Sequence, residues 1–256
     1  INANISDMQR VNDEAERRNS ELLTANALIE DAGRRKAAFI HDVSLQIRTP
    51  LNIIAGFMQV LRETFTLLPK EEVVNFVETM KQNADTIKRM STMIFDVSRM
   101  DGGQKLDLSK EVEVIPAVQK VIKSFEEKAP HDVVLNLTTT LPDHFTIHTN
   151  RLYLNRVLSE LLINAKKFAS GKEVGMTLTL MDSTTLRFVI EDKGVGITEA
   201  ERDHVFIPFV KLDSFSEGLG LGLGLSQQYA HLLGGTLVLD STYTEGARFI
   251  FDIPCT

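Results

Sequence analysis

The sequence predicts an α+β protein, a long N-terminal helical hairpin followed by an α/β sandwich. Three observations carry that expectation. Apolar residues recur three, four or seven apart through roughly the first hundred positions, the spacing of helices. The breaker Asp101-Gly102-Gly103 then ends the pattern. Beyond it, short β-branched runs alternate with amphipathic helical stretches, as when helices are segregated against a mixed or antiparallel sheet.

The bulk numbers narrow the class. At 256 residues the chain holds one large or two ordinary domains with an ample core. A formal net charge of −7 argues against nucleic acid or a membrane surface as a partner, while a local basic site for an anion stays open. The single cysteine, Cys255, leaves no intrachain disulfide and suits a reducing compartment. No apolar run approaches the ~18–20 residues of a transmembrane helix, and no signal peptide is visible. Because it begins at Ile1, the chain reads as a fragment of a longer protein.

Residues 1–35 form the first segment. Met8, Ala15, Leu22 and Ile29 recur every seven residues, and Val11, Ala25, Ala32 and Phe39 follow a second seam that Arg18 interrupts. This predicts a parallel coiled coil running on in phase into the next helix; the alternative is one solvated amphipathic helix. Residues 36–102 follow as a helical hairpin. Its first helix spans about Lys36 to Leu68 and contains Pro50, which removes a hydrogen bond and should bend it. Pro69 breaks the chain, and Lys70-Glu71-Glu72 opens the second helix with early acids. There Val73, Val74, Val77, Met80, Ala84, Ile87, Met90, Met93, Ile94 and Val97 form one stripe, whose methionines read as core. Two antiparallel helices cannot bury their apolar faces alone, so a four-helix bundle of two chains is expected.

Residues 103–256 form the sandwich. Val112–Ile115, Val133–Leu137, Val174–Met181, Thr185–Asp192, Thr236–Asp240 and Ala247–Ile253 read as strands. Pro116–Lys128 and Asn150–Phe168 read as helices, the second with Leu152, Leu154, Val157, Leu158, Leu161 and Leu162 on its apolar side.

Five stretches stand out chemically. The octet Ser44-Leu45-Gln46-Ile47-Arg48-Thr49-Pro50-Leu51 lies on the first hairpin helix. Four more follow in order: Glu160-Leu-Leu-Ile-Asn164-Ala-Lys-Lys167-Phe168, Glu191-Asp192-Lys-Gly194-Val-Gly196, Phe206-Ile-Pro-Phe209 with Lys211, and Gly218-Leu-Gly220-Leu-Gly222-Leu-Gly224-Leu-Ser226. Singly each has an ordinary reading: a turn, a surface Asn, close packing of glycines. Together the octet resembles the phosphoacceptor box of sensor histidine kinases, and the other four resemble the ATP-binding boxes of the fold that those kinases share with gyrase, heat-shock chaperone and mismatch-repair ATPases. The likeness covers about Lys36 to Pro254.

The resemblance implies ATP and Mg²⁺ as cofactors. Asn164 would help hold Mg²⁺, which takes hard oxygen ligands, and Lys167 would supply charge to a phosphate. Asp192 would accept a hydrogen bond from the adenine amino group, with Gly194 and Gly196 letting backbone approach the base. Lys211 would follow the start of the ATP lid. Gly220, Gly222 and Gly224 would let main-chain amides meet phosphate oxygens at a helix start. Glu160 departs from the asparagine common there in kinases. It is a candidate metal ligand beside Asn164, and the residue type with which the related ATPases activate water. Family partners would be a second copy of the chain, a response-regulator receiver domain, or a His-bearing kinase in a mixed dimer. The parent would be a larger bacterial protein, membrane-anchored or sensor-fused, with this segment in the cytoplasm.

The octet departs from the family where the chemistry lies. Leu45 stands at the phosphorylated histidine and Gln46 at the adjacent acid. Leucine has no lone pair to take a phosphoryl group, and glutamine cannot act as a base near neutrality. His41-Asp42, one turn upstream, repeats the His-acid pairing about 6 Å away along the axis. It is either a displaced acceptor or an ordinary exposed histidine. Three activities follow as alternatives: phosphotransfer to His41 or to a partner's histidine, a silent nucleotide-binding pseudokinase, and a plain ATPase using Glu160 as base.

Overall fold

A computed structural model of the chain describes residues 2–100, 106–127, 133–169, 173–208, 210 and 220–255. They fall into two compact units, Ile1–Ala84 and Asp85–Thr256.

The first unit is helical. The first segment runs straight on into the first hairpin helix, and the two form one unbroken helix of 63 residues, α1 (Asn2–Thr64). Gly33 has open space around its Cβ position, so it costs only its weak propensity, about 1 kcal/mol against alanine. Pro50 is buried and forgoes one main-chain bond, the one its missing N–H would give the Gln46 carbonyl. The helix stops at Thr64, short of the expected Leu68. There the Leu67 and Leu68 amides both turn back onto the Thr64 carbonyl, at 2.8 and 3.2 Å. The second helix, α2 (Lys70–Met100), begins where its acids announced it, and Phe57 meets Phe76 across the hairpin with ring centroids 4.7 Å apart. Leu51, Met58, Val74 and Val77 remain half or more exposed. The side chains of the heptad positions Met8, Val11, Ala32 and Phe39 lie outside the described residues.

The second unit opens with the C-terminal half of α2. In order follow β1 (Glu111–Glu113), α3 (Val114–Glu126), β2 (Leu135–Thr139), β3 (Thr146–His148), α4 (Arg151–Phe168), β4 (Val174–Leu180), β5 (Thr185–Asp192), α5 (Glu199–Arg202), α6 (Gly222–Leu232), β6 (Thr236–Leu239) and β7 (Arg248–Pro254). Five strands form one mixed sheet in the order β2-β4-β5-β7-β6, in which β2 and β4 are parallel and the rest antiparallel. β3, absent from the sequence expectation, pairs with β1 in a separate two-stranded ladder. Ile115 belongs to α3 rather than to the first strand, because Val114, Ile115, Val118 and Val121 bury one helical face. Asn150 caps α4 instead of starting it, its side-chain oxygen accepting from the Leu152 and Tyr153 amides.

Strict alternation builds the core. Leu186, Phe188 and Ile190 of β5 stand opposite Ile253, Phe251 and Phe249 of β7, all buried on the face that α4 and α6 cover. Phe188 and Phe251 stack with centroids 5.5 Å apart. Phe251→Ala is expected to cost about 3–5 kcal/mol, read by urea denaturation of the sandwich; a loss under ~1 kcal/mol would contradict this packing. Among the described residues no helix is long and apolar enough to cross a membrane.

Candidate nucleotide-binding site

Asp192 is the polar end of an apolar row. The period of two that buries Leu186, Phe188 and Ile190 carries its carboxylate to the same buried face at the end of β5. Its Oδ1 accepts from the Gly194 amide at 2.8 Å and the Ala247 amide at 3.3 Å. Burial pushes the carboxyl above the ordinary aspartate range, and the two N–H bonds only partly oppose that.

Three glycines keep the surroundings free of side chains. A Cβ on Gly194 would lie 2.1 Å from the Phe168 carbonyl oxygen and 2.8 Å from Asp192 Oδ1. One on Gly246 would lie 2.0 Å from the Asp192 carbonyl oxygen and 2.8 Å from its Oδ1. Gly196 has φ +72° and faces the Gly246 carbonyl. The result is a buried carboxylate walled by main chain rather than by side chains. Gly246 was not singled out from the sequence, where it only precedes the strand Ala247–Ile253.

The phosphate side is built from α4 and α6. Asn164 has a buried Nδ2 without a hydrogen-bond partner. Lys167 is exposed, its Nζ 5.1 Å from the Phe168 ring centroid. Gly220 has φ +66°, and α6 starts at Gly222 without a side-chain cap, so its first amides are unused inside the helix. Gly224 packs against the Phe206 carbonyl and Pro208, bringing the lid-side segment onto the helix start. The Ser226 hydroxyl donates to the Gly222 carbonyl at 2.8 Å. Phe209, Lys211 and Gly218 lie outside the described residues.

Glu160 pairs with an arginine that the sequence does not announce. Arg89 of α2 donates to both its oxygens, Nε to Oε1 at 3.0 Å and Nη2 to Oε2 at 2.6 Å. The same Oε2 is 2.8 Å from where a Cβ on Gly222 would stand, so the pair lies against the start of α6. Each oxygen of Glu160 thus accepts one bond from the guanidinium, which neutralises the carboxylate and leaves one lone pair on each oxygen.

A second pair lies two turns along α2. Asp96 is buried and accepts from Arg156 Nη1 at 2.5 Å and from the Tyr229 hydroxyl at 2.6 Å. Burial and the Asp96 contact both raise the Tyr229 pKa. For Arg156 burial works against the charge, but the Asp96 bond together with the charges of Tyr229, Asp96 and Tyr153 outweighs it and the pKa rises. These four charged residues bound a cavity of about 300 Å³ between α2, α4 and α6.

The octet lies on α1. Leu45 is 45% exposed, His41 is exposed, and Gln46 is half-buried. The Thr49 hydroxyl donates to the Leu45 carbonyl at 3.4 Å, an intrahelical contact. An accessible leucine thus occupies the place where the resemblance puts a phosphorylated side chain.

Residues 35–103 match the family model of the His Kinase A (phospho-acceptor) domain, and residues 149–256 match that of the histidine kinase-, DNA gyrase B- and HSP90-like ATPase. The chain belongs to the sensor histidine kinases. Among its kinase relatives, the aerobic respiration control sensor protein ArcB of Escherichia coli K12 is 28% identical over 239 residues, covering 88% of this chain and 29% of that protein. Full-length ShkA in complex with AMPPNP superposes with a TM-score of 0.60 at 23% identity, over 84% of this chain and 46% of that one. The kinase ThkA in complex with the response regulator protein TrrA gives 0.57 at 22%, over 84% and 60%. At that identity the two structures show the kinase fold. The chain spans less than a third of the length of the curated relatives it matches.

Proposed function

We propose that this chain is the nucleotide-binding core of a two-component sensor, and that it binds MgATP without phosphorylating itself at position 45. In this reading residues 1–35 are a signalling coiled coil, 36–102 a dimerising phosphotransfer-like hairpin and 103–256 the ATP-binding domain. The observation that carries it is the contrast between two places. The cradle around Asp192 is complete in backbone and carboxylate, whereas the acceptor position holds an exposed Leu45. Asp192 would receive the adenine amino group, and the first amides of α6 the phosphates. Asn164, whose carboxamide oxygen is a hard ligand, would help hold magnesium, which would screen the phosphate charge. The exposed apolar faces of the hairpin support a homodimer, since burying Leu51, Met58, Val74 and Val77 needs a partner. A receiver domain is the family's further partner.

A second reading has the ATP-binding domain serving a histidine on another subunit in a mixed dimer; the accessible flank around Leu45 and His41 favours it. The plain ATPase is disfavoured by Arg89, which holds the would-be base.

Calorimetric titration of the chain with Mg²⁺ and a non-hydrolysable ATP analogue tests the binding. Asp192→Asn should weaken it by about 10- to 150-fold, the worth of one hydrogen bond to a charged group. The fold should tolerate that change, because burial already disfavours the charged form and an amide oxygen can still accept from Gly194 and Ala247. Equal affinity for both proteins would overturn the assignment of Asp192.

A further inference from the structure

The two ion pairs form a matched set. Arg89 and Asp96 are seven apart on α2, and Glu160 and Arg156 are four apart on α4, so each pair of residues shares a helical face. Their charges run in the same order along the chain, plus then minus on α2 and plus then minus on α4. Antiparallel helices therefore pair each cation with an anion. Met93 lies between, its Cε 3.8 Å from the position of a Cβ on Gly222, and Tyr229 of α6 closes the Asp96 end. The two ends are not equivalent. Asp96 and Arg156 are mostly buried and capped by a phenol, whereas the Arg89 side chain is 45% exposed. Asp96 is thus an anchor and Arg89 a contact that water, and competing ligands, can reach.

Glu160 lies one turn before Asn164 on α4 and against the glycine that starts α6. A carboxylate there has two claimants of one kind. A divalent cation held by Asn164 would take oxygen lone pairs, and Arg89 already uses both oxygens of Glu160. A guanidinium and a divalent cation on one carboxylate also repel each other, so each weakens the other's hold. We propose that Arg89 and magnesium-nucleotide compete for the Glu160 carboxylate, so that nucleotide binding unlatches the C-terminal half of α2 from α4 and α6. The inference rests on the MgATP reading above and gives Arg89 a role as a latch. Linkage makes the effect reciprocal: whatever opens the latch must tighten magnesium-nucleotide binding by the same factor.

Hydrogen–deuterium exchange of the full chain separates the possibilities, with the non-hydrolysable analogue added either with Mg²⁺ or with EDTA. Slowed exchange at 192–196 reports nucleotide binding. Faster exchange at 85–97 reports unlatching, and it should appear only when Mg²⁺ is present. Arg89→Gln should show fast exchange at 85–97 without any ligand. Its calorimetric affinity for the analogue should rise about tenfold with Mg²⁺, and stay unchanged in EDTA. Glu160→Asn should likewise be open at rest and should lose the further response to Mg²⁺. Protection at 192–196 with no magnesium-dependent change at 85–97 defeats the latch alone. An Arg89→Gln affinity equal to the parent's in Mg²⁺ does the same, and leaves Arg89 a structural contact. No protection at 192–196 under any condition defeats the nucleotide reading and the latch with it.

Discussion

A Leu45→His, Gln46→Glu variant incubated with labelled ATP is expected to acquire acid-labile label that the parent chain does not. The expectation separates two halves of one reaction. The donor half depends on the Asp192 cradle, the buried Asn164 carboxamide and the glycine-opened start of α6, none of which the variant touches. The acceptor half depends on a ring nitrogen with a free lone pair, which Leu45 lacks. Position 45 is 45% exposed in mid-helix, so histidine fits there at a propensity cost of well under ~1 kcal/mol. Gln46 is half-buried beside it, and a glutamate there adds the carboxylate that can orient the ring or accept its proton. Loss of such a proton acceptor typically costs about 10²–10⁴-fold, so Leu45→His alone should label more slowly than the pair by a factor of that order. Label on the parent chain would instead point to His41. His41→Gln would then abolish it, and the proposal that the chain does not phosphorylate itself would need a displaced acceptor. A double variant that binds nucleotide yet stays unlabelled would show that the donor half is also impaired.

How much of this was legible in the sequence depended on range. The helical hairpin, the order of the sandwich elements and the Asp192-Gly194-Gly196 cluster all follow from spacings within a few residues, and the structure keeps them. Local signals failed where tertiary packing overrode them. The β-branched Val114 and Ile115 read as strand but bury a helical face, and Thr146–His148 was too short to show any period until β1 paired with it. Gly33 and Pro50 each read as a local weakness, yet α1 carries both, because each costs one propensity or one bond against a long cooperative helix. The fate of Glu160 was out of reach for a different reason. Its partner is 71 positions away on another helix, and nothing within a helical turn of either residue announces the pairing. The one available signal was the shared cation-then-anion order of Arg89 and Asp96 and of Arg156 and Glu160, which means something only once α2 and α4 are known to run antiparallel. Gly246 was missed likewise, because its role comes from β5 lying beside β7.

Gly246 gives the most demanding test of the cradle. Gly246→Ala is expected to cost about 1–3 kcal/mol or more in stability and to remove measurable nucleotide affinity. The added methyl would stand 2.0 Å from the Asp192 carbonyl oxygen, far inside contact distance, and a main-chain oxygen cannot swing aside as a side chain could. Relief requires the start of β7 to move away from the end of β5. That movement strains the Asp192 amide's bond to the Ala247 carbonyl at 2.9 Å, and the Ala247 amide's bond to Asp192 Oδ1 at 3.3 Å. The deformation therefore falls on the carboxylate that is proposed to recognise the base, so binding should suffer beyond what lost stability explains. Two other glycines calibrate the result. Gly33→Ala has nothing within 4 Å and lies in mid-helix, so it should stabilise by roughly 0.5–1 kcal/mol. Gly196→Ala has φ +72° but its nearest neighbour at 3.1 Å, so it should show backbone strain of about 1 kcal/mol or slightly more, with a smaller binding defect. Urea denaturation and calorimetric titration of the three variants side by side give the ranking. A Gly246→Ala protein with the parent's stability and affinity would mean that β5 and β7 do not approach as described, and the cradle around Asp192 would have to be redrawn.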